Sequence, residues 1–271
     1  MMYNISIGVT PDRSRVEERR IAGLKHDDRL GVGQMGRPDI SVIIPTLNEE
    51  KNLGPCLKSL MDQIYKGFEV IIVDGGSVDG TVDIAQEHGF DILEVEKKRP
   101  HDVSAAKNEG AKNASGNALF FLDADMLLEP NCFKVLVEEY GKRNVVGVAC
   151  RVLPYQGTAI ENAMYQINNY MARLANRLGV HELSYFSCHS YRKDDFEKVG
   201  GFREDLLACE DLDLSLRIRR MGRYVVTPKT TLWASPRRLR EWSYPGYVKK
   251  YVKYLWQYYM SDHVKDYYED L

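Results

Sequence analysis

The stretch ALFFLDADMLLEP, residues 118–130, is an apolar run that ends in two aspartates separated by a single residue. Residues 118–122 are all apolar, which is typical of a strand buried on both faces of a parallel sheet. Asp123 and Asp125 follow directly, before a second apolar patch and a proline. The pattern therefore predicts a buried strand that carries two carboxylates at its end.

Short apolar segments alternate with helical segments on both sides of this stretch. Strands are predicted at 40–46, 69–74, 91–96, 118–123, 145–153, 184–191 and 224–228, and helices at 81–88, 104–114, 131–140, 158–178, 194–199 and 210–221. A further helix carries Leu53 and Leu57, and Asn48 is in position to cap it. This alternation indicates βαβ units and an open, mostly parallel sheet flanked by helices. Such sheets bind ligands at the carboxyl ends of their strands, where Pro45 and Thr46 fall.

Composition excludes several classes of protein. The chain has 271 residues, 44% of them hydrophobic and 28% charged, as in ordinary globular domains. A formal net charge of −2 gives no overall positive field, so nucleic acid is not an expected partner. The five cysteines are scattered and form no CxxC pair, which favours a reducing, cytoplasmic location over a disulfide framework or zinc knuckle. No apolar stretch approaches the ~18 residues that span a bilayer.

The chain divides into three parts by composition. Residues 1–37 are dense in charges of both signs and end in a linker-like GVGQMGRP, so we expect an appendage there. Residues 38–240 contain the alternating strands and helices of one α/β domain. Residues 241–271 are rich in aromatic and basic residues and predict an amphipathic helical extension.

The two aspartates after the central strand have two interpretations. Neighbouring carboxylates repel, and burying them without a partner is costly. A divalent cation offsets this cost, and Mg²⁺ usually takes one or two protein carboxylates and completes its shell with phosphate oxygens and water. The alternative is a surface turn, in which aspartate is common. The residues alone thus leave open a metal–diphosphate site and a turn.

Four other polar residues also have a functional and an ordinary interpretation. Asp74 ends a strand before GGSVDGT, so its carboxylate either contacts a nucleobase or ribose or closes an Asx turn. Glu210 and Asp211 open a helix, either as a general base with its neighbour or as favourable charges at a helix N-terminus. Lys107 either pairs with a phosphate or is a solvated lysine.

The ordered set of motifs resembles family 2 glycosyltransferases, which have the Rossmann-like GT-A fold. The motifs are PTLNEE (45–50), VDGGSVDGT (73–81), AAKNEGA (105–111), LDADMLLEP (122–130), VGGF (199–202) and EDLDLSLRIRRMG (210–222). The resemblance covers roughly residues 38–240. It implies inverting transfer of a sugar from a GDP- or UDP-linked donor to a hydroxyl or phosphate acceptor, either a glycan or a lipid-linked molecule.

The resemblance also implies roles on the donor side of the site. Pro45, Thr46 and Glu49 would line the nucleotide pocket, and Asp74 would contact the base or ribose. Lys107 takes the place of a basic residue near the nucleotide.

Metal and acceptor roles are carried over in the same way. Asp125 would bind Mg²⁺ or Mn²⁺ directly, with help from Asp123 on the nucleoside side. Asp211 would be the catalytic base, and Glu210 would support the acceptor. SPRRLREW (235–242) resembles a segment that closes over the diphosphate, with Arg237 and Arg238 as its cations; the alternative is a basic surface turn.

Departures from the family limit the assignment. The Gln-x-x-Arg-Trp motif of processive polysaccharide synthases is absent, and SPRR (235–238) stands near its place. Met126 occupies a position where dolichyl-phosphate mannose synthases often have Gln. The competing hypotheses are a sugar-1-phosphate nucleotidyltransferase, which would need a Gly-rich basic loop after the first strand, and a non-catalytic nucleotide-sugar or lipid-binding relative, against which the intact aspartates argue.

The tail predicts an amphipathic helix with an aromatic arc and a basic arc. At 100° per residue, the aromatic arc contains Tyr247, Tyr251, Tyr254 and Tyr258, and the opposite arc contains the lysines and Trp256. One hypothesis is that residues 244–259 lie on an anionic membrane at the cytoplasmic face or guide a lipid-linked acceptor. The other is that the aromatic arc packs on the domain or on a partner subunit.

Overall fold

The computed structural model describes residues 38–95, 102–178, 188–262 and 264. The predicted appendage at 1–37 lies outside these residues. The strands are β1 (Ile40–Thr46), β2 (Phe68–Asp74), β3 (Ile92–Glu94), β4 (Ala118–Phe121), β5 (Met126–Leu128), β6 (Val145–Pro154), β7 (His189–Arg192) and β8 (Arg223–Ala234). The helices are α1 (Leu53–Met61), α2 (Thr81–Glu87), α3 (Val103–Asn113), α4 (Cys132–Tyr140), α5 (Ala159–Leu178), α6 (Lys193–Lys198), α7 (Glu210–Ile218), α8 (Arg237–Glu241) and α9 (Tyr244–Ser261).

All eight strands form one sheet in the order β3-β2-β1-β4-β7-β6-β8-β5. β1 runs parallel to β2 and β4, β2 is parallel to β3, and β6 is parallel to β8. β7 is antiparallel to both β4 and β6, and β5 is antiparallel to β8. The prediction of an open, mostly parallel sheet flanked by helices is therefore confirmed.

Helices cover both faces of the sheet because its central strands are apolar on both faces. Along β1, Val42 and Ile44 join one core cluster, whereas Ile43 joins the other. The first cluster takes its helical side chains mainly from α1, α4 and α5, and the second takes them from α3, α6 and α7. Alternation of side chains along a strand thus builds a three-layer domain.

Several predicted boundaries are wrong. Asn52, not Asn48, precedes the first helix; Asn48 has a left-handed φ of 56°, and its Oδ1 accepts a hydrogen bond from the Val78 amide. β4 ends at Phe121, two residues before Asp123. α7 ends at Ile218 rather than at 221. These ends depend on hydrogen bonds made in the folded chain, which local patterns do not show.

The far edge of the sheet was predicted least well. β5 was not predicted, because its three residues pair with β8, about a hundred positions later in the chain. β8 extends from Arg223 to Ala234, well beyond the predicted 224–228. Its register against β6 shifts between Thr227 and Thr231, next to Pro228. Proline lacks the amide donor that a regular ladder needs, so a bulge there is expected.

The aromatic face of the tail packs on the domain. Tyr254 is buried against Ala208 and Val264, and Tyr247 packs on the first core cluster. Trp256, predicted on the opposite arc from the apolar residues, lies instead in an exposed apolar stripe with Val248 and Val252. None of the helices in the described part of the chain combines the length and apolar character needed to cross a bilayer.

Close packing of α3 on the sheet gives the first prediction. A Cβ on Gly110 would lie 2.5 Å from Ile43 Cγ2 and 3.1 Å from Val73 Cγ2. We expect Gly110→Ala to lower the free energy of unfolding by about 1–3 kcal/mol through overpacking, measured by urea denaturation. Gly54→Ala in α1 is the matched control, because its Cβ would make only ordinary contacts at 3.7–3.8 Å. Equal stability of the Gly110 variant and wild type would contradict this account.

Candidate active site

An acidic cluster lies where β1 and β4 end. The Leu122 amide donates to the Ile43 carbonyl (3.0 Å), which keeps the chain beyond β4 beside β1. The partly buried Asp125 carboxylate then lies close enough to Asp123 and Glu49 to feel their charges. Burial, followed by these two carboxylates, raises the pKa of Asp125 to about 6, against the opposing effect of the nearby arginines. The structure thus brings together three of the predicted donor and metal residues.

Two arginines of α8 face this acidic cluster. Arg237 Nη2 lies 3.5 Å from Glu49 Oε1, and both Arg237 and Arg238 lower the pKa of Asp125. The Nε atom of Arg237 is buried without a hydrogen-bond partner. A buried guanidinium donor without an acceptor is costly, so this position suits an anionic ligand. The segment is a short helix rather than a turn, and the role of its arginines at a diphosphate stays a prediction.

A residue pair that sequence reasoning missed holds α8 in place. Arg240 donates from Nε and Nη2 to the two carboxylate oxygens of Glu161 on α5, at 2.8 and 3.0 Å. The hydrogen bonds from Arg240 lower the pKa of the Glu161 carboxylate to about 2. The geometry is the bidentate fork that arginine forms with carboxylates. The positions are 79 residues apart, so no sequence signal connects them.

The Asp74 carboxylate accepts hydrogen bonds from neighbouring groups of the protein. It is buried, and its donors are Thr46 Oγ1 (3.0 Å), Ser77 Oγ (2.6 Å), and the amides of Gly76 (2.8 Å) and Ser77 (2.7 Å). This is the Asx-type arrangement that was the ordinary interpretation of the residue. The bonds fix the loop between β2 and α2 against the end of β1, beside Glu49, whose amide donates to Thr81 Oγ1 (2.8 Å).

Lys107 is buried between the two carboxylates of α7 and is not the solvated lysine of the alternative interpretation. Its side chain is 1% exposed, and Nζ lies 3.0 Å from Asp211 Oδ1 and 3.3 Å from Glu210 Oε1. Although burial opposes the charge, Asp211 and Glu210 raise the pKa of Lys107 well above its usual value. The ammonium group contacts protein carboxylates, and the role of Lys107 near the phosphates of a nucleotide stays a prediction.

The backbone before α7 is strained. Cys209, directly before Glu210, has a left-handed φ of 66°, which is uncommon for a residue with a side chain. Burial, then the charge of Asp211, raises the pKa of Glu210, with Lys107 acting in the opposite direction. Backbone strain like that at Cys209 persists where surrounding contacts impose it, and it is concentrated at functional sites.

A second unpredicted cluster supports α7 from the tail. Asp213 is buried and contacts Arg217 Nη2 (2.6 Å), while Tyr258 of α9 donates to its Oδ1 (3.0 Å). Arg203 lies 3.7 Å from the same carboxylate and pairs with Asp262 at 2.7 Å. The i, i+4 spacing of Asp213 and Arg217 could have predicted the ion pair between these two residues from the sequence, but not the contacts of Tyr258 and Arg203. The tail is thus bonded to the helix that carries Asp211.

Lys107 links the two halves of the site. The Asp123 charge also contributes to the raised pKa of Lys107, which shows that the ammonium group lies near both acidic regions. The candidate site therefore runs from Glu49, Asp125 and the arginines on one side to Asp211 on the other.

The donor set fits a divalent cation that shares its shell with a ligand. The described residues contain no group of three or more His, Cys, Asp or Glu side chains arranged to hold a metal. Asp123 and Asp125 are carboxylates, and burial, followed by the charges of Asp123 and Glu49, raises the pKa of Asp125. One or two carboxylates completed by phosphate and water is the usual Mg²⁺ arrangement, so the residues suit a cation that arrives with a diphosphate.

Comparison with known proteins identifies the family. The model of the family described as glycosyl transferase family 2 matches residues 41–200. The chain belongs to this family. Its glycosyltransferase relatives include AglE of Haloferax volcanii, which is 32% identical over 194 residues, covering 68% of this chain and 62% of AglE. The chain spans about six tenths of the length of the first curated relatives it matches.

Solved glycosyltransferases share the fold. The mannosyltransferase PcManGT of Pyrobaculum calidifontis, in complex with GDP-Man and Mn²⁺, superposes with a TM-score of 0.59 at 22% identity, over 82% of this chain and 64% of that one. TarS of S. aureus (residues 1–349), in complex with UDP-GlcNAc, gives a TM-score of 0.59 at 20% identity, over 73% and 58%. The predicted GT-A fold of this glycosyltransferase family member is confirmed.

The buried lysine gives the second prediction. Lys107→Met leaves two partly buried carboxylates without their cation. We expect a loss of about 2–3 kcal/mol in the free energy of unfolding, below the roughly 3–5 for a fully buried pair because the carboxylates remain partly exposed. Lys112→Met, on the same helix but in an exposed pair with Glu109, should change stability by less than about 1 kcal/mol. Similar losses in both variants, measured in urea, would refute this assignment.

Asp125 gives a prediction for the pH dependence of stability, measured with a chelator present so that no metal is bound. Its folded-state pKa of about 6 exceeds the unfolded value, so the wild type loses stability relative to Asp125→Asn as pH rises from about 4 to 6. We expect the variant to be more stable by about 1–3 kcal/mol at pH 7 and equal to wild type below pH 4. Urea titrations across this range measure the difference. Exposed Asp83→Asn controls for loss of one charge, and a constant difference at all pH values would contradict the prediction.

Proposed function

We propose that this glycosyltransferase family member transfers a sugar, with inversion, from a nucleoside diphosphate sugar to a hydroxyl or phosphate acceptor. The observation that carries the proposal is the acidic cluster of Asp123, Asp125 and Glu49 facing Arg237 and Arg238 at the strand ends. A diphosphate with a divalent cation complements both charges at once. PcManGT binds GDP-Man and Mn²⁺ and TarS binds UDP-GlcNAc, which supports a nucleotide-sugar donor here.

The nucleotide of the donor binds between the end of β1 and the loop that follows Asp74. Pro45 and Thr46 at the end of β1, Glu49 after it and the Asp74 loop line the nucleotide pocket. Asp74 is saturated by its own chain, so its role is to shape the loop, with any contact to base or ribose requiring an exchange of partners. The unpaired Nε of Arg237 donates to a diphosphate oxygen, and Arg238 adds a second positive charge.

Asp125, assisted by Asp123, would hold Mg²⁺ or Mn²⁺. When bound, the cation supplies Lewis-acid stabilisation to the leaving nucleoside diphosphate. The guanidinium groups of α8 stabilise the same negative charge on the leaving nucleoside diphosphate. Their position is fixed by the bond between Arg240 and Glu161, which limits reorganisation during the reaction.

Asp211 accepts the proton of the attacking acceptor group. Lys107 donates to both of its oxygens, at 3.0 and 3.2 Å, and fixes the direction of the carboxylate at the N-terminus of α7. Glu210 borders the same position and supports the acceptor. Attack in line with the departing diphosphate requires the base and the leaving group on opposite sides of the sugar, which matches a site that extends from Asp211 to the arginines.

The acceptor is a glycan or a lipid-linked molecule, and the protein works at the cytoplasmic face of a membrane. The exposed stripe of Val248, Val252 and Trp256 on α9, with Lys249 and Lys253 beside it, supports contact between residues 244–259 and a membrane surface. The buried face of the same helix contacts the segment before Asp211, so an acceptor guided by the tail would arrive beside the base.

A thermal-shift panel of UDP- and GDP-sugars with and without Mn²⁺ tests the donor. We expect at least one nucleotide sugar to raise Tm only when Mn²⁺ is present, because ligand binding stabilises the folded state in proportion to occupancy. Asp125→Asn should lose this shift. A panel in which no nucleotide sugar changes Tm would sink the proposal.

Turnover of the stabilising donor tests the base. We expect Asp211→Asn to bind the donor normally and to lose about 10²–10⁴-fold in kcat, which is the usual contribution of a positioned general base. Asp213→Asn is the matched control on the same helix, and it should lower Tm through its contacts with Arg217 and Tyr258 while retaining most of kcat. Unchanged kcat in the Asp211 variant would remove it as the base.

A further inference from the structure

An exposed apolar stripe runs along the whole of α5, on the side away from the sheet. Ile160, Ile167, Met171 and Leu178 are 62%, 64%, 42% and 67% exposed. At 100° per residue these four residues lie within about 40° of one another, and they extend along roughly 27 Å of helix. Side chains of this size are normally buried when they form a continuous strip, so the stripe marks a contact surface.

The opposite face of α5 is the one that packs against the sheet. Glu161, Tyr165, Asn169 and Ala172 follow at helical spacing on the opposite side and are buried. Asn169 is fixed by hydrogen bonds to both the amide (3.0 Å) and the carbonyl (2.6 Å) of Val152 on β6. The helix cannot rotate its apolar stripe inward without breaking these bonds. The helix therefore packs a mixed face of polar, aromatic and small side chains on the sheet and leaves its apolar stripe exposed.

The charges around the stripe select the partner. Arg173 and Arg177 lie on α5, and Lys249, Lys250 and Lys253 lie on α9, whose Tyr247 packs against the core cluster that contains Tyr165 of α5. The only carboxylate in the two helices is Glu161, which is buried and paired with Arg240. The two helices thus carry five basic residues and one carboxylate, whereas the chain as a whole has a net charge of −2.

We propose that the outer face of α5, together with the exposed stripe of α9, is a docking surface for an anionic lipid bilayer. A long apolar stripe bordered by arginine and lysine is the composition of helices that lie in the plane of an interface. An identical second copy would bring the five positive charges of one helix pair against the same charges of the other, which disfavours self-association.

The surface is connected to the reaction centre by short paths. Glu161 on α5 holds Arg240 of α8, the helix that carries Arg237 and Arg238. On the other side, Tyr258 of α9 donates to Asp213 of α7, two residues after Asp211. A bilayer beneath α5 and α9 would thus lie next to both helices that form the site. The proposal concerns membrane contact and holds whether or not the proposed transfer reaction is correct.

Co-sedimentation with vesicles tests the docking surface on the full chain. We expect the protein to bind vesicles of phosphatidylcholine with phosphatidylglycerol, to bind neutral phosphatidylcholine vesicles at least tenfold more weakly, and to be released by salt. Ile167→Glu with Met171→Glu should weaken binding to the anionic vesicles by about tenfold or more. Arg173→Gln with Arg177→Gln should reduce it by about fivefold for each charge removed.

Met61→Glu with Ile64→Glu is the matched control. These residues are 54% and 58% exposed and belong to neither α5 nor α9, since they lie at and just after the end of α1. The same charge change there should leave vesicle binding unaltered. Unchanged Tm in all three double variants confirms that they fold, since every substituted side chain lies at the surface.

Three outcomes would overturn the proposal. The first is wild-type protein that binds neither kind of vesicle, and the second is an Ile167/Met171 variant that binds as wild type does. The third is a wild-type dimer in analytical ultracentrifugation that the same variant makes monomeric, which would assign the surface to a second copy. Vesicle binding requires no turnover, so failure here is distinct from failure of the donor panel.

Discussion

A buried ion pair between two helices holds the site of this protein together. Lys107 comes from α3, which packs on the parallel half of the sheet, and its carboxylate partners come from α7, about a hundred residues later. Removing a lysine from water is unfavourable unless its charge is compensated, and the two carboxylates supply that compensation in the folded state alone. The position of α7, and with it the direction of Asp211, therefore depends on α3 being in place.

The remaining charges of the site are arranged around this pair. Asp123, Asp125 and Glu49 concentrate negative charge at the ends of β1 and β4, and burial together with the charges of Asp123 and Glu49 raises the pKa of Asp125. Arg237 and Arg238 oppose that charge, and Arg237 approaches Glu49 only to 3.5 Å. A site with excess negative charge beside an arginine donor without a partner is preorganised for a cation and an anion together, as a metal–diphosphate is.

The C-terminal helix belongs to the same arrangement and is more than an appendage. Its tyrosine face contacts Ala208 and Asp213 on either side of the Glu210–Asp211 pair. Its other face is exposed, as is the outer stripe of α5, and both helices are positively charged. The domain division at 240, drawn from composition, therefore separates residues that the fold joins.

The sequence by itself determined the class of fold and the chemistry of the strand ends. Apolar runs such as 118–122 can only be satisfied by burial on both faces, and parallel strands bring Thr46, Asp74 and Asp123 to one edge whatever their partners are. The tertiary structure decided the pairings. Lys107 with Asp211, Arg240 with Glu161, Tyr258 with Asp213 and β5 with β8 each join residues far apart in the chain, and no local periodicity encodes such contacts. It also decided which face of α5 is left exposed. Asn169 bonds to β6, so the face that carries it is buried and the more apolar stripe faces outward, although apolar periodicity alone would favour the opposite arrangement.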